Sequence, residues 1–167
     1  MDIYGAATKL LDLVKQQLTT AGVVLPDRVY VAPGVDLALD CEQLTVHLSR
    51  IISNFQGQDT PYPVMTHKLL RKSAEFYVTL ARCVPSMNDD GSPPPVADMD
   101  AAASVVMKDM RELRRALEQI EHQHLMMPIN VPVTIGPATT IGPLGGIAAS
   151  QVSYTCEFTD AAGGWVG

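Results

Sequence analysis

The residues best suited to chemistry are few and scattered. His122 and His124, in the stretch EHQHL, form an HxH pair. A zinc ion takes three or four ligands, and the remaining ones are not visible nearby, so the pair is expected to be a frayed helix end rather than a metal site. His47 and His67 have no sequence relation to Cys41, Cys83 or Cys156 that would pair a base with a thiol nucleophile. Asp89 and Asp90 fall in a turn-rich stretch, where adjacent carboxylates serve as solvated turn residues more readily than as a general acid and base. Arg111, Arg114 and Arg115 stand beside Glu112 and Glu118, which reads as a mixed solvated helix surface instead of a phosphate site. The patterns GxxxxGK[ST], GxGxxG after a strand, GxSxG and HExxH are absent. The expectation is therefore a protein with no catalytic residues, no cofactor and no metal. A small enzyme would have to bring His47, Tyr77 and Glu75 into one concave site with shifted protonation.

The 167 residues are enough for one domain with a proper core. With 47% apolar and only 18% charged residues, the surface must carry many uncharged groups, as a surface that meets a partner does. A net charge of −6 argues against a dedicated nucleic-acid binder, which neutralises phosphates with Lys and Arg. It does not argue against a wall that nucleic acid slides past. The start MDIYGAATKLLDLVKQQ lacks a signal-peptide pattern, no segment approaches a membrane span, and three unevenly spaced cysteines suit free thiols, so synthesis in a cytoplasm is expected.

Apolar spacing locates the elements that must position these residues. Asp2 is placed to cap a helix carrying Ile3, Ala7, Leu10, Val14 and Leu18, with Gly22 ending it. PDRVYVAPG reads as a first strand closed by a turn. In CEQLTVHLSRI and SAEFYVTLARCV apolar and polar residues alternate, and an antiparallel hairpin sets Leu44 opposite Leu80, Val46 opposite Val78 and Leu48 opposite Phe76. The same register puts Cys41 across from Cys83, and gives a second face of Gln43, Thr45, His47 and Ser49 against Ala81, Thr79, Tyr77 and Glu75. That face is either wet or meets another subunit. The connecting loop, roughly 54–72 and containing Pro61, Tyr62 and Pro63, exceeds the ~2–5 residues of a tight hairpin.

A proline-rich connector (85–98) leads to the longest helix, capped by Asp98 or Asp100, whose Val106, Met110, Leu113, Leu117 and Ile120 form one apolar stripe for the sheet. The segment VTIGPATTIGPLGG (133–146) repeats Thr-Ile-Gly-Pro. Its Ile135, Ile141 and Leu144 fit poorly with disorder, so an extended Gly/Pro arm lying on a surface is expected. A fourth strand, AASQVSYTCEF, follows. The flexible tail (159–167) holds the sole tryptophan, Trp165, a suitable interface anchor. The fold expected is α+β: a mostly antiparallel four-stranded sheet with an N-terminal helix and a long helix packed on one face.

RVYVAPG, DCEQLTVHLSRI, SAEFYVTLARCVP, the acidic connector, LRRALE and IGPLGGIAASQVSYTCEF together resemble the small neck proteins of tailed phages of actinobacteria, tail terminators above all, over about residues 28–158. The resemblance implies a single structural domain, 1–167, assembling into a homohexameric ring that caps the tail tube and joins it to the head connector. Implied partners are further copies of the chain, the major tail tube protein and the stopper or connector of the head, with genomic DNA crossing the lumen without specific binding and no membrane. The implied location is the virion neck. A head-side stopper or adaptor shares this size and setting, and a small cytosolic binding module is the reading from another class. Candidate interface residues are Pro61, Tyr62, Pro63, Ile135, Pro137, Ile141, Pro143, Leu144 and Trp165.

Overall fold

In the computed structural model the chain runs α1 (Ile3–Thr20), β1 (Arg28–Val31), β2 (Gln43–Asn54), β3 (Arg71–Cys83), α2 (Val96–His122), β4 (Val133–Leu144) and β5 (Ile147–Thr159). The structure describes residues 3–34, 42–54, 71–88, 90–127, 131–144 and 146–159. The fold is α+β with one five-stranded sheet in the order β1-β2-β3-β5-β4. Two points depart from the expected four-stranded arrangement. The Gly/Pro segment is itself a strand, β4, and β1 pairs with β2 in parallel, while every other pairing is antiparallel.

The hairpin register is the one that apolar alternation dictates: Leu44 opposite Leu80, Val46 opposite Val78, Leu48 opposite Phe76. Val78 and Phe76 then meet Val152 and Tyr154 of β5, which places all of these side chains on one face. The helices cover that face. α1 lies against β1 and β2, and α2 against β5 and β4. The core between them joins Leu10, Val14 and Leu18 of α1, Leu113, Leu117 and Ile120 of α2, and Leu44, Val46, Phe76, Val78, Val152 and Tyr154 of the sheet. Each large side chain removed from water in this way contributes about 1.5–3 kcal/mol.

Both helices end as the sequence chemistry requires, with two corrections. Gly22 ends α1 in the left-handed region at φ 73°, where the Val23 N–H donates to the Leu18 carbonyl at 3.0 Å. Asp2 lies outside the described residues. α2 begins earlier than an Asp98 or Asp100 cap allows: its N-cap is Pro95, at φ −55° and ψ 140°, with no side-chain cap bond. Proline's restricted φ turns the chain into the helix without an acceptor side chain, and Asp98 sits in the first turn, where the helix dipole favours an acid. At the other end of α2 His124 takes the left-handed position, φ 52°, and the Leu125 N–H reaches back to the Ile120 carbonyl at 3.1 Å. The HxH pair is thus a helix end, closed by a cap rather than frayed.

Candidate functional site

β4 shows what the Thr-Ile-Gly-Pro repeat does. Each copy marks an irregularity in the pairing with β5, one between Ile135 and Ala138 and one between Ile141 and Leu144. An extra residue at a bulge inverts the alternation of side chains. Ile135, opposite Tyr154, therefore packs on the helix-side core, whereas Ile141, opposite Ala149, packs on a small cluster of Ala81, Ile147 and Ala149 on the other face. A Cβ at Gly136 would lie 2.1 Å from the Ser153 Oγ, so a side chain there requires that hydroxyl to be displaced. Gly142 has φ 95°, which a side chain would strain. The Arg114 guanidinium donates to the Gly136 carbonyl at 3.2 Å and ties the first bulge to α2.

The segment 133–146 is extended, as expected, and the surface it lies on is β5 of its own sheet. Of the candidate interface residues, Ile135 and Ile141 are half-buried within the chain, Pro137 and Pro143 are exposed on the edge strand, and Leu144 ends β4 opposite Ile147. Pro61, Tyr62, Pro63 and Trp165 lie outside the described residues. Asn54, Arg71 and Thr159 are register neighbours at one end of the sheet. The Leu144–Ile147 hairpin and the connector after Cys83 are at the opposite end, where the Val84 N–H donates to the Gly146 carbonyl at 2.7 Å.

The second sheet face pairs Gln43 with Ala81, Thr45 with Thr79 and His47 with Tyr77, as the alternation predicts. Ser49 does not oppose Glu75. The register shifts between Leu48 and Arg50, Arg50 takes the place opposite Glu75, and the two form an ion pair at 2.6 Å. This face is not wet: Gln43, Thr45, His47 and Thr79 are each at most 1% exposed. The Tyr30 hydroxyl donates to the Gln43 Oε1 at 2.7 Å and the Gln151 amide to the Thr79 hydroxyl at 3.0 Å, while the Thr45 Oγ1 and His47 Nε2 have no hydrogen-bond partner among the described residues. Burial holds the His47 imidazole below its ordinary pKa, which keeps it neutral. His47 and Tyr77 rings lie 5.5 Å apart. Glu75 is engaged by Arg50, and the two cavities described, about 590 Å³ along α1 and about 280 Å³ between α1 and α2, are lined by neither His47, Tyr77 nor Glu75.

A cluster that sequence reasoning missed centres on Arg82. It projects to the helix side of β3, where its Nε donates to Asp109 of α2 at 2.6 Å, one terminal nitrogen to Glu42 at 3.2 Å and the other to the Val24 carbonyl at 2.6 Å. Burial opposes the charge, and Asp109 and Glu42 outweigh it, raising the guanidinium pKa. The signal was present in the spacing: Arg82 continues the inward parity of Leu80, and Asp109 lies between Val106 and Leu113 on the inward stripe of α2. Elsewhere, burial pushes the Cys156 thiol up to about 12, leaving it unreactive, while Cys83 is exposed. Cys41 lies outside the described residues. Among the described residues no three His, Cys, Asp or Glu side chains gather around a metal position, and no helix is long and apolar enough to cross a membrane.

No protein-family model and no curated protein matches the chain.

Proposed function

We propose that this chain is a structural subunit of the neck of a tailed phage, a tail terminator whose copies form a ring, six in number, capping the tail tube and joining it to the head connector. The observation that supports the reading is that one sheet carries different features at its two ends. The register neighbours Asn54, Arg71 and Thr159 lie at one end, and the Leu144–Ile147 hairpin with the start of the acidic connector lies at the other. A ring subunit needs a top and a bottom as well as two flanks, because a head-to-tail contact closes only when repeated about an axis. The net charge of −6 suits a lumen that DNA crosses without being held.

The deciding experiment is electron microscopy of the purified protein, alone and mixed with the tail tube protein of the same phage. Rings with a central channel that cap the ends of tubes are expected. Single copies that neither assemble nor cap tubes would refute the reading.

A further inference from the structure

The apolar stripe of α2 is longer than the surface beneath it. The steps of three and four that run from Val106 to Ile120 continue toward the N-terminus through Ala103, Met99 and Val96. The domain buries the stripe only from Val106 onward; Val96 is 76% exposed, Met99 37%, and Ala103 is exposed as well. Residues 96–105, about 15 Å of helix, stand clear of the core. Val105 and Met107 add further exposed apolar surface on the same stretch of helix.

Charge divides the helix at the same place. From residue 84 to 107 there is no Lys, Arg or His, and Asp89, Asp90, Asp98 and Asp100 make the stretch acidic. The next eight residues, 108–115, hold four of the chain's 12 Lys and Arg. Arg111 and Arg115 share the one carboxylate of Glu112, at 2.8 and 4.0 Å, and keep 72% and 67% of their side chains exposed. Lys108 is exposed and has no ion pair among the described residues. Three cations thus face outward with one buried carboxylate between them.

We propose that the exposed half of α2, residues 96–105, docks on the 108–115 segment of a second copy of this chain. The acidic, apolar plug of one copy meets the basic seat of the next, and complementary charge selects that pairing over plug on plug or seat on seat. Plug and seat are different surfaces, so copies joined plug to seat in succession around an axis close a ring, whereas a reciprocal pair stops at two copies. The inference rests on the ring reading and names the contact that builds the ring.

The test is the mass of the full chain by native mass spectrometry and light scattering across a concentration series, with thermal melts to confirm folding. A plug variant, Asp98→Lys with Asp100→Lys, and a seat variant, Lys108→Glu with Arg111→Glu, are each expected to fall from the multi-copy mass to that of one copy, with the plug variant's melting unchanged. Mixed one to one, they are expected to regain the multi-copy mass, because each plug then finds an opposite seat. Met99→Ser, which alters the plug without touching charge, is expected to shift assembly at least tenfold toward single copies and serves if the seat variant fails to fold. Variants that assemble like the parent, or folded variants whose mixture stays single, would overturn the contact and leave the ring reading standing. A two-copy mass abolished by the same variants would keep the contact and refute the ring. A parent that remains single at every concentration, including one whose plug binds only the tail tube protein, would overturn the contact.

Discussion

Arg82 is held by three acceptors from three separate parts of the chain, Asp109, Glu42 and the Val24 carbonyl, so one side chain fastens β3 to α2, to the start of β2 and to the turn after α1. Removing one partner of a buried pair leaves the other charge without compensation, which costs about 3–5 kcal/mol. Arg82→Met is expected to lower the unfolding free energy by about that amount in urea titration, and Arg82→Met with Asp109→Leu to recover most of it. His47 sets a dependence on pH. Its folded-state pKa lies below the ordinary value of 6.5, so as pH falls below about 6.5 the unfolded chain binds a proton that the folded chain still refuses. Stability is therefore full above that pH and declines beneath it. His47→Gln is expected to flatten this decline in denaturation midpoints measured from about pH 7.5 to about 5.5, whereas an unchanged slope would place the proton elsewhere.

At the scale of elements, β4 shows how much depends on room for a single hydrogen. Gly136→Ala pushes a methyl group to 2.1 Å from the Ser153 Oγ, and overpacking of this kind costs about 1–3 kcal/mol. In a Ser153→Ala background the nearest remaining atom is the Cβ at 3.5 Å, so the penalty is expected to vanish in a double-mutant cycle. This strand is also where the sequence was hardest to read. The hairpin of β2 and β3 was legible as far as Leu48 because Leu44, Val46, Phe76, Val78 and Leu80 alternate without interruption and a one-place slip would bury their polar neighbours, whereas the shift between Leu48 and Arg50 left no mark on that alternation. In β4 the same alternation is broken twice by bulges, so Gly-Pro pairs that tolerate an edge strand looked like an arm. The parallel pairing of β1 was not legible, since four residues carry little periodicity and nothing local fixes strand direction. The polar second face was located correctly, but its burial depends on long-range packing that alternation does not encode.

For the whole molecule, the core and the proposed assembly surface are carried by different parts of one helix. Leu113, Leu117 and Ile120 are fully buried, and residues 96–105 have almost no buried side chain. Local opening follows burial. In hydrogen-exchange mass spectrometry of the single-copy state, amides of 96–105 are expected to exchange at least tenfold faster than those of 113–120, and uniform protection along α2 would contradict the division. Trp165 and Pro61 to Pro63, singled out by residue type, lie outside the described residues, whereas the exposure of Val96 and Met99 becomes visible only once the extent of the sheet beneath α2 is known.

The two prolines of β4 have a consequence for handling the protein in bulk. A twelve-residue rim strand is a template on which fibrils can grow, but Pro137 and Pro143 offer no amide hydrogen, and the kinks beside them leave only short stretches able to accept an incoming chain. Concentrated stocks are thereby shielded from cross-β aggregation along that rim.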